Sequence, residues 1–469
     1  MRLINTQSLN LEEFVGSAIP EYAILSHTWG DEEVTFQEWQ DGSSVIDKKA
    51  GYKKILAACE QARADDLGYL WVDTNCIDKN SSAELSEAIN SMFAWYADSH
   101  RCYVYLADFV WNMGSSEFLN IEQLCQCRWF KRGWTLQELL APETLLFFDM
   151  YWREFGNRGD GRFRFQLSEI TGIKTMYLEY RPWIAQASVS ERMSWVAHRE
   201  TTREEDIAYC LLGIFGINMS LIYGEGRRAF LRLQEEIIRV SNDQTIFCWT
   251  YPTEDLVDED WDSVLAPHPR VFSTSGKYVS NPEHSTGYSL TNNGLEITLP
   301  AVRLDQHYFI ALLAANMKED RVAIVLERNG NLERRTARER LRHIPPQIHQ
   351  DARNQMQQSG QALRDMGVGY LPLKRNDFRS SNDEVIDGVY VIDRTSQSGT
   401  YFIVEGVRGS YKSTLTISLN SKRSMEEILG TLRTWLSTTS LLYIHPPKGY
   451  LDVIDPNEYD RFILAGVSP

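Results

Sequence analysis

The chain has 469 residues, 43% hydrophobic and 24% charged, which suits a globular protein of two to four domains rather than a disordered chain. A formal net charge of −16 argues against a protein that tracks nucleic-acid phosphates, but it leaves room for a nucleotide-sized ligand held by a local basic or backbone N–H site. The seven cysteines are scattered, with Cys125 and Cys127 the one close pair, so the pattern lacks zinc-like spacing and suits reduced thiols in the cytoplasm.

Met1 to Asn10 carries no apolar core or cleavage pattern, so no signal peptide is expected. The most apolar run, Ala208 to Ile217, is too short to span a bilayer. Tyr22-Ala-Ile-Leu-Ser26 reads as a buried strand entering the loop His27-Thr-Trp-Gly-Asp31. Tyr52, Ile55, Leu56, Cys59 and Ala62 recur at helical spacing, with Gly68 as the stop. Tyr69-Leu-Trp-Val-Asp73 is a second strand with an acid at its end. Ser81-Ser-Ala-Glu84 predicts a capping box that opens a helix with Leu85, Ala88, Ile89, Met92, Phe93 and Tyr96 on one face. Cys102-Tyr-Val-Tyr-Leu-Ala107 is a third strand. Residues 108–126 read as a polar loop, and a helix holding Trp134 and Glu138 follows, ended by Pro142. Thr144-Leu-Leu-Phe-Phe148 is a fourth strand. Strands apolar throughout and alternating with helices imply an α/β fold, a parallel sheet covered on both faces, with ligands bound beyond the carboxyl ends of its strands.

Residues 161–245 read as a helical extension of this 1–160 domain, with a second capping box at Thr202-Arg-Glu-Glu205 and a turn at Gly224-Glu-Gly226 leading into a helix. From 246 to 469 short β-rich runs take over, among them Tyr308-Phe-Ile-Ala-Leu-Leu and Val389-Tyr-Val-Ile, with Asn292-Asn-Gly294 as a hairpin turn and a polar insertion over 334–377. This predicts a β-sandwich or barrel-like C-terminal domain.

Within this frame Glu138 stands out. Trp134, Leu136, Leu139 and Leu140 enclose it, and a carboxylate in such surroundings is costly unless paired or functional. It is either neutralised by Arg128, Lys131 or Arg132, or it is a reactive group.

The N-terminal half resembles the fungal heterokaryon-incompatibility (HET) domain. The matching stretches are Tyr22-Ala-Ile-Leu-Ser-His-Thr-Trp-Gly30, Glu33-Val-Thr-Phe36, Gly51-Tyr-Lys-Lys-Ile55, Trp71-Val-Asp-Thr-Asn-Cys-Ile-Asp-Lys79, Arg128-Trp-Phe130 and Arg132-Gly-Trp-Thr-Leu-Gln-Glu-Leu-Leu-Ala-Pro142. Asn75 stands where that family usually has a second Cys before Cys76, which argues against a required Cys pair there. Trp134-Thr-Leu-Gln-Glu138 is similar to the W-x-x-x-E element of Toll/interleukin-1 receptor (TIR) domains, whose NAD-cleaving members use the Glu, and the order of strands and helices agrees.

The first resemblance implies a cell-death effector in non-self recognition. The second implies an NAD glycohydrolase of TIR-like fold with Glu138 as the catalytic group and NAD as substrate rather than cofactor. On that reading Ser26, His27, Trp29, Gly30, Asp73, Arg132 and Trp134 line the substrate site. Trp29 would stack a ring, N–H groups near Gly30 would hold phosphate oxygens, Asp73 would take ribose hydroxyls, and His27 and Arg132 would add charge or hydrogen bonds. Structural roles compete for each: Trp29 as a loop anchor, His27 as a satisfied core histidine, Asp73 as a turn cap and Cys76 as a buried apolar residue. No metal site is expected. Expected partners are NAD or a related nucleotide, further copies of the chain on activation, and a sensor protein, with no nucleic acid and no membrane. The competing reading is a non-catalytic module that signals by assembly.

Overall fold

The computed structural model describes residues 1–42, 46–111, 121–251, 261, 263–285, 287–291, 294–303, 308–318, 320–329, 332–335, 342–344, 400–408, 411–419, 442–443 and 459–464. They divide into two units, residues 1–187 with 195–237, and residues 188–194 with those from 238 onward.

The first unit is built on a seven-stranded sheet: β1 (Arg2–Asn5), β2 (Leu11–Glu13), β3 (Ala23–His27), β4 (Tyr69–Trp71), β5 (Arg101–Tyr105), β6 (Leu145–Phe148) and β7 (Glu154–Asn157). Their spatial order is β2-β1-β4-β3-β5-β6-β7. The four central strands β4, β3, β5 and β6 run parallel and are the four that the apolar runs predict. All of β3 and β6 is buried, as a sheet covered on both faces requires. The antiparallel edges β1, β2 and β7 lie outside the sequence expectation. In β1 only Leu3 and Ile4 are buried between Arg2 and Asn5, too short a pattern to read as a strand.

Taken in chain order, the parallel strands lie 2-1-3-4. The chain therefore leaves the first strand, β3, in one direction and later places β5 on its other side. This is the switch point at which open α/β sheets bind ligands beyond the strand ends. The covering helices are α1 (Phe36–Asp41), α2 (Ala50–Ala64), α3 (Ser82–Asp98), α4 (Ile121–Gln126), α5 (Arg128–Lys131), α6 (Thr135–Leu140), α7 (Gly161–Thr171) and α8 (Thr175–Glu179). Further along the chain come α9 (Val189–Ser194), α10 (Asp206–Tyr209), α11 (Leu212–Phe215) and α12 (Arg228–Val240). Among the described residues no helix is long and apolar enough to cross a membrane. Within the polar stretch 108–126, residues 121–126 form α4 and 112–120 lie outside the described residues.

Three local expectations are corrected. Helix α2 stops at Ala64, and Asp66 rather than Gly68 takes the left-handed conformation, with φ +60°, which Asp tolerates better than most residues. At α3 Ser81 Oγ accepts from the Glu84 amide at 3.3 Å, but the Glu84 carboxylate accepts from the Asp78 amide at 2.8 Å and pairs with Arg2 instead of returning to Ser81. The reciprocal box occurs at Thr35 and Glu38, where it opens α1. At the second expected box Glu205 has helical dihedrals, and its carboxylate accepts from Gly224 N at 2.7 Å and Gly226 N at 3.0 Å. It thereby fixes the turn whose glycines take φ +99° and +58° ahead of α12.

The second unit holds β8 (Tyr278–Ser280), β9 (Tyr288–Thr291), β10 (Gly294–Arg303), β11 (Tyr308–Met317), β12 (Asp320–Asn329), β13 (Leu332–Arg335), β14 (Arg342–Ile344), β15 (Thr400–Arg408), β16 (Tyr411–Leu419), β17 (Leu442–Tyr443) and β18 (Tyr459–Leu464). The pairings β10–β11, β11–β12, β12–β13, β13–β18 and β18–β10 return to their start, a barrel-like closure. Strands β15, β16 and β17 form a separate small sheet. Thr291 and Gly294 face each other across the expected hairpin, whose residues 292 and 293 lie outside the described residues. The run at 389–392 also lies outside them, as does most of the 334–377 insertion, although β14 within it pairs with β12.

Candidate functional site

Every residue of α6 is buried, although the helix is only six residues long. A helix so short leaves most of its backbone groups without internal partners, and buried side chains supply them. The Arg158 guanidinium donates to the carbonyls of Leu139, Pro142 and Glu143, and Arg181 Nη1 donates to Ala141 O at 3.0 Å. At the other end the single Thr135 hydroxyl proton is shared between the carbonyls of Trp129 and Arg132, and Arg199 Nη1 donates to Arg132 O at 2.8 Å. The entry to α6 is fixed by Gly133, whose amide donates to Glu200 O at 2.8 Å; a Cβ there would meet Thr201 Cγ2 at 2.6 Å.

These supports place Glu138 at the carboxyl end of β3. Ser26 Oγ donates to Glu138 Oε2 at 2.5 Å and accepts from the Trp129 indole N–H at 2.7 Å. Because the indole can only donate, it occupies the serine oxygen from one side and leaves the hydroxyl proton for the carboxylate. Glu138 is 7% exposed. Burial, reinforced by the charge of Asp73, pushes its carboxyl up to about 8, against the opposing effects of Ser26, Arg132 and Tyr96. At neutral pH the group is mostly protonated.

Among the described residues no cation lies within ion-pair distance of Glu138. Arg128 donates to Trp29 O at 3.1 Å, and Lys131 Nζ donates to Gln126 Oε1 at 3.1 Å. Arg132 acts on Glu138 only through space. The salt-bridged alternative for Glu138 is not the arrangement found.

The loops after β3 and β4 come together beside it. Trp29, 38% exposed, donates its indole N–H to Asp73 Oδ2 at 2.9 Å. Lys79 Nζ lies over the Trp29 ring, 3.4 Å from its centroid. His27 is buried, with Nε2 3.8 Å from Glu33 Oε2 and 3.9 Å from Asp73 Oδ1, and neither ring nitrogen has a hydrogen-bond partner. Burial, with the charges of Lys54, Lys79 and Arg132, holds its imidazole well below the ordinary value. His27 is therefore neutral and offers a hydrogen bond rather than a charge. Glu33 accepts from Lys54 Nζ at 2.6 Å and from Gly30 N at 2.8 Å, so the Gly30 amide expected to meet phosphate is already engaged.

Thus Ser26 joins Glu138 directly, Trp29 joins Asp73, and His27 lies within 4 Å of Asp73. Trp134 does not join them; its side chain hydrogen-bonds with Asp206, which also accepts from Tyr223 at 3.0 Å. Cys76 is buried and its thiol is pushed up to about 12, the opposite of an activated nucleophile. Among the described residues no group of three or more His, Cys, Asp or Glu side chains is placed to hold a metal ion.

Five contributors escaped sequence reasoning: Glu33, Lys54, Lys79, Tyr96 and Trp129. Glu33, Lys54, Lys79 and Trp129 sit inside the motif stretches, where their types were legible but their direction was not. Tyr96 occupies the apolar face of α3, where it reads as core.

Residues 22–117 match the family model described as heterokaryon incompatibility protein (HET), and residues 228–321 match one described as a domain of unknown function (DUF8212). Over 226 residues the chain is 46% identical to the vegetative incompatibility protein HET-E-1 of Podospora anserina, a match that covers 47% of this chain and 16% of that protein. No solved structure matches.

Proposed function

We propose that this chain, whose residues 22–117 match the HET family model, acts in heterokaryon incompatibility by cleaving NAD to nicotinamide and ADP-ribose through Glu138. The observation that carries the reading is a buried carboxyl, free of ion pairs, held by Ser26 at the switch point of a parallel sheet. Cleavage breaks the bond between nicotinamide N1 and ribose C1′. The bonding electrons go to the ring nitrogen, which neutralises the ring, and positive charge develops on the sugar. An ionised Glu138 stabilises that charge or bonds to C1′, and water supplies the oxygen of ADP-ribose and releases one proton. Because nicotinamide leaves as a neutral molecule, no general acid is needed.

Burial favours the protonated form of Glu138 at neutral pH. A cationic ring beside it favours the ionised form, so substrate binding itself arms the group. Trp29, 38% exposed and overlain by Lys79, offers a ring to stack on, and Asp73 accepts ribose hydroxyls. In this proposal the protein acts in the cytoplasm, assembles with further copies when activated, and answers to a sensor protein. Nicotinamide release by the full chain, lost in Glu138→Gln, is the test.

A second reading, a non-catalytic module that signals by assembly, draws on the 7% exposure of Glu138 and on the Ser26 hydroxyl that already occupies one of its oxygens. It predicts that Glu138→Gln keeps its lethality when expressed.

A further inference from the structure

The Lys79 ammonium lies on the Trp29 ring face and has no hydrogen bond or ion pair among the described residues, so its three N–H donors are unspent. The Arg132 guanidinium is likewise without a hydrogen bond or ion pair among the described residues, though its main-chain carbonyl is used. His27 feels the charges of both Lys79 and Arg132, and Arg132 disfavours the charge on Lys79. Lys54, by contrast, is spent on Glu33 at 2.6 Å. Asp73 and Glu33 favour the Lys79 charge through space, but neither forms an ion pair with it among the described residues, so the two cations keep donors free for an anion in a chain whose net charge is −16. Yet one of them covers the face of Trp29, the 38%-exposed aromatic that bonds to Asp73.

A single ligand resolves both features. We propose that Lys79 is a specificity-determining residue that leaves the Trp29 face for a ligand phosphate, held jointly with Arg132, so that the site admits a cationic planar ring only when the same molecule carries phosphate. The inference rests on the proposed NAD-cleaving function and deepens it. A cation–π contact at a partly exposed ring is worth about 0.5–1 kcal/mol, little enough for a charge-assisted phosphate contact to replace it. A cationic ring without phosphate must displace the ammonium from Trp29 with no new contact for it to make, and it meets the positive charges of Lys79 and Arg132.

Calorimetric titration of the full chain tests this, with nicotinamide mononucleotide and 1-methylnicotinamide as probes. Wild type is expected to bind the mononucleotide at least about tenfold more tightly, from one charge-assisted contact. Lys79→Met keeps most of the length of the side chain without its charge, and should weaken the mononucleotide and tighten 1-methylnicotinamide so that the gap closes. Arg132→Gln should weaken the mononucleotide but leave 1-methylnicotinamide no tighter. Should Lys79→Met bind both probes as wild type does, Lys79 is not the gate, while loss of nicotinamide release in Glu138→Gln would still uphold the enzyme. Should wild type bind neither probe and release no nicotinamide, both readings fall. Thermal unfolding of each variant separates these outcomes from a failure to fold.

Discussion

Ser26 Oγ donates to Glu138 Oε2 at 2.5 Å while it accepts the Trp129 indole N–H at 2.7 Å. A strand end and a buried six-residue helix, 112 residues apart in the chain, are tied through one hydroxyl. The direction of the bond follows from the indole, which can only donate.

Ser26→Ala removes a bond that favours the ionised carboxylate and leaves the Trp129 N–H unpaired. Hydrogen bonds to charged groups contribute about 1.5–3 kcal/mol, so NAD cleavage should fall roughly 10–100-fold. The rate profile should also move to higher pH, a shift that a merely structural loss would not produce. Ser26→Thr should restore part of both. Steady-state rates from pH 6 to 9.5 measure it.

Glu138 links stability to pH. Its carboxyl is held at about 8 when folded, against 4.5 when unfolded. Below 4.5 both states carry the proton and the fold pays no ionisation cost. Between the two values the unfolded chain releases a proton that the folded chain keeps, so stability falls as pH rises, and above 8 the loss is complete. Each pH unit between them is worth about 1.4 kcal/mol. Urea unfolding at pH 5, 6.5 and 8 should show this decline in wild type and a flatter one in Glu138→Gln. An identical slope in the two would mean that Glu138 is not held protonated. Activity should run the other way and rise towards pH 8.

Gly133→Ala would drive a methyl to 2.6 Å from Thr201 Cγ2 and 3.2 Å from Cys210 Sγ at the entry to α6. Overpacking of this kind typically costs about 1–3 kcal/mol. Because Gly133 also carries the amide bonded to Glu200, α6 should shift, and activity should fall more than stability. Thermal denaturation and nicotinamide release on one preparation compare the two.

Much of the first unit is legible from sequence because its signals are local. The parallel strands are unbroken apolar runs, and Ser81 or Gly224 announce their turns through residue type. What stays hidden depends on distant partners. Glu205 looks like half of a capping box, but Gly224 and Gly226, some twenty residues on, claim its carboxylate. Glu138 is surrounded in sequence by Arg128, Lys131 and Arg132, yet the first two point elsewhere and the third stays beyond pairing distance. Trp134 shares a motif with Glu138, yet its side chain turns to Asp206. Lys79 closes the stretch that begins at Trp71, but only the fold lays it on Trp29.

The central claim is that Glu138 cleaves NAD. Its most direct test is to express the full chain and its Glu138→Gln variant in cells at equal levels and measure NAD and nicotinamide over time. Wild type should lose NAD with stoichiometric release of nicotinamide, and the variant should do so at a rate lower by about 10²–10³. Unchanged NAD in wild-type cells that nonetheless die, or equal NAD loss in both, would contradict it.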